Sequence, residues 1–212
     1  MKNQTATRVL IVDDHAMVRL ALAEAIERQN DLQLVGEAEN GAKALELYQK
    51  LHPDVVTMDY NLPDQDGDQV IAAIIAGFPA ARILLLSISE AEETLYRATE
   101  AGALGCVSKA AEIDEMIAGI RAVASGKPYF SENLKTKLAE RRSREGLSPR
   151  ELDVLKHLAA GFSNKEICDA LGMAASTVKH HVERIFAKLG AKDRTQATAI
   201  AVQRGIVRLD GR

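Results

Sequence analysis

Short runs of branched apolar residues alternate along the first 125 positions with stretches in which apolar side chains recur every three or four residues. Arg8-Val9-Leu10-Ile11-Val12 is the first run, and it stops abruptly at Asp13-Asp14. Val18, Leu22, Ala25 and Ile26 then follow the spacing of one helix face. Leu32 to Gly36 predicts a second strand, and Gly41 to Leu51 a helix that Pro53 ends. Asp54 to Met58 predicts a third strand, closing on Asp59. The turn-rich segment Asn61-Leu62-Pro63-Asp64-Gln65-Asp66-Gly67 leads into a helix near Asp68–Ala76. Ile83 to Leu86 is a fourth strand before a helix from about Glu90 to Ala101. Ala103 to Val107 is a fifth, before a helix from Ile113 to Ala124. Such alternation predicts an α/β fold, a doubly wound five-stranded parallel sheet with helices on both faces.

The pattern changes after position 125. Residues 126–146, with Gly126, Pro128 and a charged run, predict a partly helical connector. Beyond it only helical signals occur. Ser148-Pro149-Arg150-Glu151 has the N-cap, first-turn proline and third-position glutamate of a helix start. Leu152, Leu155 and Ala159 carry that helix to Gly161. Ser163 caps a second helix with Ile167 and Leu171, ended by Gly172. A third runs from about Ala175 to Leu189, with Val178, Val182, Ile185 and Leu189 on one face, and a fourth covers roughly Thr195 to Arg204. Two helices joined by a tight glycine turn, the second polar outside, fit a helix-turn-helix. The domains expected are therefore 1–125, a linker 126–146, and an all-α four-helix unit 147–212.

Charge sharpens this division. The net charge of -3 conceals a half of residues 1–126 with 10 Lys and Arg against 20 Asp and Glu. Residues 127–212 carry 17 against 10, so the second unit is basic enough to approach nucleic acid. A solvated surface would have the same composition, so the charge alone assigns nothing. No apolar run is long enough to span a bilayer, and Met1 to Arg8 lacks a secretory core. Cys106 and Cys168 are too few for a disulfide framework, which points to a reducing, cytoplasmic setting.

The chemistry gathers at strand ends. Ligands of such a sheet bind beyond the carboxyl ends of its strands. There stand Asp13, Asp14, Asp59, Ser87 and, two residues past its strand, Lys109. Any one acidic residue could be a loop cap, but five groups delivered at the ends of four strands make a crevice. Adjacent carboxylates repel unless a cation intervenes, and hard oxygen donors with no His or Cys nearby favour Mg2+ over zinc. A carboxylate can accept a phosphoryl group as an acyl phosphate, with Lys109 supplying a fixed ammonium and Ser87 a hydroxyl.

These motifs in order, Leu10-Ile11-Val12-Asp13-Asp14-His15, Asp54 to Asp59 with Leu62-Pro63 and Asp66-Gly67, then Ser87 and Lys109, resemble the receiver domain of bacterial two-component response regulators across nearly all of residues 7–125. The resemblance implies a flavodoxin-like strand order, 2-1-3-4-5. It makes Asp59 the phosphoacceptor, charged from a phosphohistidine on a sensor histidine kinase. Mg2+ would be held directly by Asp14, Asp59 and the Asn61 backbone carbonyl, and through water by Asp13. Lys109 would pair with the phosphoryl oxygens, and Ser87 would bond one of them. No enzyme is expected beyond phosphoryl acceptance and slow self-dephosphorylation: phosphatases of the aspartyl-phosphate type carry a second Asp where Asn61 stands. The family usually has an aromatic residue three before the lysine; here it is Cys106, and Ala110 follows the lysine. Cys106 thus leaves a second reading open, a phosphorylation-independent DNA binder whose receiver serves only for dimerisation.

Leu147-Ser148-Pro149-Arg150-Glu151, Gly161 to Ile167, Thr177-Val178-Lys179 with His181, Lys188-Leu189 and Arg194-Thr195-Gln196-Ala197 resemble the DNA-binding domain of the NarL/FixJ, or LuxR-type, class. On a helical wheel Ser176, His180, Glu183 and Ala187 lie opposite the apolar face, flanked by Lys179, Arg184 and Lys188. The resemblance makes Lys179, His180 and Glu183 base readers and Asn164, Lys165, Thr177, Lys188 and Arg194 phosphate anchors. Ala174 replaces the serine that usually caps this helix, so a later start capped by Ser176, or fraying without DNA, is expected. Ala197, Ile200, Ala201 and Val202, followed by Ile206 and Val207, either pair two such domains or pack internally. The whole predicts a phosphorylation-controlled transcription regulator that binds DNA as a homodimer.

Overall fold

The computed structural model describes residues 6–88 and 91–207. The expected start of a helix at Glu90, most of the polar N-terminal segment and the last five positions of the chain lie outside the described residues. The strands are β1 (Thr7–Val12), β2 (Leu32–Ala38), β3 (Val55–Asp59), β4 (Ile83–Ser87) and β5 (Gly105–Ser108), all parallel, in the order β2-β1-β3-β4-β5. The alternating helices are α1 (Ala16–Glu27), α2 (Gly41–Leu51), α3 (Gly67–Gly77), α4 (Glu92–Glu100) and α5 (Ile113–Ala124). Every residue of β3 and β4 is buried, as strands covered on both faces must be. Val9, Ile11, Leu84, Leu86 and Val107 pack against Leu22 and Ile26 of α1 and Met116 and Ile120 of α5.

Strand ends differ by at most two residues from the sequence expectation. β2 extends to Ala38, because β1 supplies paired hydrogen-bonding positions up to Val12. β5 starts at Gly105, because the Ala103 N–H is taken by the Ala98 carbonyl in the turn after α4, while Leu104 and Cys106 bond Tyr129 on the other edge. That pairing places the start of the expected linker alongside β5, through a parallel bridge from Gly105 to Tyr129. The rest of the linker is mostly helix α6 (Glu132–Ser143).

The second unit holds α7 (Pro149–Ala159), α8 (Asn164–Leu171), α9 (Ala175–Leu189) and α10 (Arg194–Gln203). Its core is Val154, Leu155, Leu158, Ile167, Val178, Ile185, Leu189, Ala197 and Ala201. Both expected capping boxes form, Ser148 with Glu151 and Ser163 with Glu166. Contacts divide the chain into Met1–Glu90 with Leu95–Thr136, and Ala91–Thr94 with Lys137–Arg212. Among the described residues no helix is long and apolar enough to cross a membrane.

Candidate functional site

Strand order places the first site. The sequence of strands reverses direction between β1 and β3, which opens a crevice at their carboxyl ends. Val12 pairs with Met58, so Asp13 and Asp59 emerge side by side. Ser87 ends β4 opposite Ser108, and the Lys109 N–H donates to the Ser87 carbonyl at 3.0 Å. Asp13, Asp14, Asp59 and Lys109 therefore meet at the strand ends, and Ser87 ends the adjoining strand β4.

Asp13 and Asp59 are almost wholly buried, as is the Lys109 side chain. The Lys109 Nζ lies 2.6 Å from Asp13 Oδ2 and 2.8 Å from Asp59 Oδ2, spanning the two carboxylates. Burial raises the Asp59 carboxyl above its ordinary value; Lys109 opposes that rise, and the charge of Asp13 adds to it. The Asn61 N–H donates to Asp59 Oδ1 at 3.2 Å, which turns the loop after β3 across the pocket. Asp14 is partly exposed at the mouth. Cys106 is buried in β5, a small apolar filler where a ring would otherwise stand.

The loop depends on one glycine. A Cβ on Gly67 would stand 2.4 Å from the Asp59 carbonyl oxygen and 2.9 Å from the Tyr60 Cα, both backbone atoms that cannot step aside. Gly67→Ala is expected to displace the Asp59 backbone, destabilising the receiver by about 1–3 kcal/mol. Urea unfolding checks the stability, and the rate of phosphoryl uptake checks the pocket.

One expectation about donors is corrected here. No histidine was expected among the carboxylates, yet Asp13, Asp14, His15 and Asp59 each present a ligand atom within 4.8 Å of the others. The imidazole comes in because His15 begins α1 without a side-chain cap bond, leaving its ring free to turn toward Asp14. Three carboxylates remain a donor set suited to Mg2+.

The second site is the outer face of α9. Ser176, Thr177, Lys179, His180, Glu183, Arg184 and Ala187 are exposed, while Val178, Ile185 and Leu189 are buried, as the wheel predicted. Asn164 and Lys165 are exposed at the start of α8. Lys179 lies 4.0 Å from Glu183, one helical turn on. The helix begins at Ala175 with Ala174 as its uncapped N-cap, so the later start capped by Ser176 does not occur.

Two expected phosphate anchors are held elsewhere. The Lys188 Nζ reaches Glu151 Oε2 and Glu145 Oε1 at 2.9 Å each and the Gly146 carbonyl at 3.0 Å, with only a tenth of its side chain exposed. The Arg194 Nη2 donates to the carbonyls of Leu158 at 2.8 Å and of Phe162, bracing the end of α7. Spacing put both on a basic surface, but could not show that Glu151 turns inward to meet Lys188. The α10 surface also resolves: Ala197 and Ala201 belong to the core, whereas Val202 is exposed. With Leu158, Thr195, Thr198 and Ala199 it lines an open, mainly apolar groove of about 580 Å³.

Comparison with known proteins agrees with this architecture. Residues 9–121 match the response regulator receiver domain, and residues 145–201 match the bacterial regulatory proteins of the luxR family. The chain is 32% identical over 205 residues to the response regulator protein VraR of Staphylococcus aureus (strain NCTC 8325 / PS 47), covering 94% of this chain and 98% of the relative. It is similar to the crystal structure of ChrA, a response regulator of a heme-sensing two-component system, at 31% identity and a TM-score of 0.55, covering 95% and 99% of the two chains. It is also similar to the two-component response regulator RcsB in complex with DNA, at 25% identity and a TM-score of 0.69, covering 94% and 99%. A receiver sheet closing on an acidic pocket, followed by a helical unit with an exposed third helix, thus belongs to one lineage: the chain is a two-component response regulator of the luxR family.

Proposed function

We propose that Asp59 accepts a phosphoryl group from a phosphohistidine of a sensor histidine kinase, and that this modification controls DNA binding by a homodimer through α9. The observation that carries the reading is the single ammonium of Lys109 spanning Asp13 and Asp59 at the switch point of the sheet. The division of labour follows the expected one, with 1–125 the receiver, 126–146 the linker and 147–212 the DNA-binding domain.

An Asp59 carboxylate oxygen attacks phosphorus in line with the phosphohistidine nitrogen. The P–O bond forms as the P–N bond breaks, and the kinase histidine leaves as a neutral imidazole once protonated. Mg2+, when held there, would supply positive charge to the transferring oxygens. Asp14, Asp59 and the Asn61 carbonyl would hold it, with Asp13 supporting the set. Lys109 is fixed by Asp13, so its ammonium stays in place when Asp59 becomes an acyl phosphate. Ser87 ends β4 beside it and donates its hydroxyl to a phosphoryl oxygen. Attack by water on phosphorus returns the free Asp59 carboxylate and inorganic phosphate. Phosphorylation acts by shifting the population of an active arrangement. The complete pocket supports this reading over one in which the receiver is only a dimerisation platform.

On DNA, Lys179, His180 and Glu183 are assigned to base edges in the major groove, Glu183 accepting from a cytosine amino group. Asn164, Lys165, Ser176 and Thr177 are assigned to the backbone around them. Lys188 and the bonded edge of Arg194 are left to structural roles. Replacing Lys179 by Ala tests the assignment by anisotropy titration of an operator duplex. Affinity is expected to fall about tenfold, with a shallower salt dependence, since one cation fewer is released. Unchanged affinity and slope would remove α9 from the groove.

A further inference from the structure

We infer that Glu183 is a specificity filter on α9: its charge weakens binding to every duplex, an effect offset only where a cytosine amino group meets it, and Lys179 is its counter-ion. This rests on the reading of α9 as the helix in the major groove and deepens it. The side chains of Lys179 and Glu183 are mostly exposed and stand 4.0 Å apart, one helical turn from each other. Both other cations flanking the stripe are held elsewhere. The Arg184 Nε lies 3.1 Å from the buried Glu151, and Lys188 is taken by Glu151, Glu145 and the Gly146 carbonyl. Among the described residues, Lys179 is therefore the cation left to pair with Glu183. So exposed an ion pair is weak in water, and each side chain can leave it for a base.

The edges of the bases decide what such a pair tolerates. An ionised carboxylate can only accept hydrogen bonds. In the major groove guanine offers it two acceptors, thymine an acceptor and a methyl group, and adenine a donor beside an acceptor. Cytosine offers its amino donor alone. Phosphates repel the carboxylate on any sequence. Glu183 therefore discriminates chiefly by what it rejects, a repulsive element that separates right from wrong partners. Lys179 has the opposite character, donors only, and suits guanine. Four residues of helix rise about 6 Å, close to two base-pair steps of ~3.4 Å each. The pair thus specifies a guanine and a cytosine within about two steps of each other, while the ammonium shields the anion from the flanking phosphates.

The test is selection from a pool of duplexes with a random central segment, using the full chain treated with acetyl phosphate and Mg2+. Wild type, Glu183→Gln and Lys179→Ala are compared, and each is also titrated with the unselected pool. The wild type is expected to enrich a motif with a fixed cytosine and a fixed guanine about two steps apart. Glu183→Gln should keep the guanine and lose the preference for cytosine by about tenfold, with adenine gaining, because glutamine bonds adenine through two atoms. It should also bind the unselected pool about threefold or more tighter, since the repelled charge is gone. A wild-type motif without a fixed cytosine would overturn the inference. So would a cytosine preference that survives Glu183→Gln while Lys179→Ala alters the motif, or pool binding by Glu183→Gln that is unchanged or weaker. A wild-type motif that neither substitution alters, or no motif at all, would instead remove α9 from the groove and overturn the underlying reading.

Discussion

With acetyl phosphate and Mg2+, the wild-type chain is expected to gain the mass of one phosphoryl group, and Asp59→Asn to gain none. Asparagine keeps the shape of the side chain and an oxygen that can accept from the Asn61 N–H. It lacks the anionic oxygen that attacks phosphorus. Folding should survive the change, because Lys109 retains Asp13 at 2.6 Å and one buried charge is removed from a crowded pair. The effect is therefore all-or-none on modification with little on stability, and intact-protein mass spectrometry with a thermal scan separates the two. An adduct of equal yield on the Asp59→Asn protein would place the acceptor elsewhere.

The second large effect is structural and lies under the DNA-binding helix. Glu151 is 1% exposed and is held by four bonds: from the Ser148 N–H at 2.7 Å, from Lys188 at 2.9 Å, from Arg184 at 3.1 Å, and, through its own N–H, to the Ser148 hydroxyl at 3.3 Å. Burial alone would raise its carboxyl, but the bonds from Lys188 and Ser148 outweigh that and hold it down at about 2. A carboxyl depressed in the folded state contributes stability that is fully present above its unfolded value, near 4.5, and is lost as pH falls toward 2. That contribution is about 3 kcal/mol, so the α7–α10 unit should begin to loosen below pH 4.5. Glu151→Gln breaks the same set at neutral pH and leaves the Lys188 ammonium without its buried counter-ion, costing about 3–5 kcal/mol. Calorimetric unfolding should show the helical unit melting earlier with the receiver transition unmoved. Adding Lys188→Met should restore part of the loss, because the orphaned charge is gone. A melting curve unchanged by Glu151→Gln would show the network to be ornamental.

Much of this was legible in the linear pattern, for reasons that differ by residue. Asp13, Asp59 and Ser87 were readable because an apolar β-run has a sharp end, and a parallel sheet brings such ends together. Val178, Val182, Ile185 and Leu189 were readable because helical period alone sorts an amphipathic face. Ser148 with Glu151 was readable as a capping box, but the second use of Glu151 was not. The contact between the start of α7 and the end of α9 joins residues 37 apart in sequence, which no local pattern reports. For the same reason Lys188 and Arg194 read as surface cations although both are tied to the interior of their unit. His15 was missed for a smaller cause, the direction of one side chain at a helix start. Tyr129 was missed because a single bridge on a sheet edge has no hydrophobic alternation to betray it.

The central claim is that the state of Asp59 sets the affinity of α9 for DNA. It is tested most directly by titrating one labelled operator duplex with the full chain at fixed salt, before and after treatment with acetyl phosphate and Mg2+, for the wild type and Asp59→Asn. The account predicts tighter binding on phosphorylation of the wild type and identical curves, treated or not, for Asp59→Asn. Wild-type curves that superimpose despite a confirmed phosphoryl adduct would contradict it.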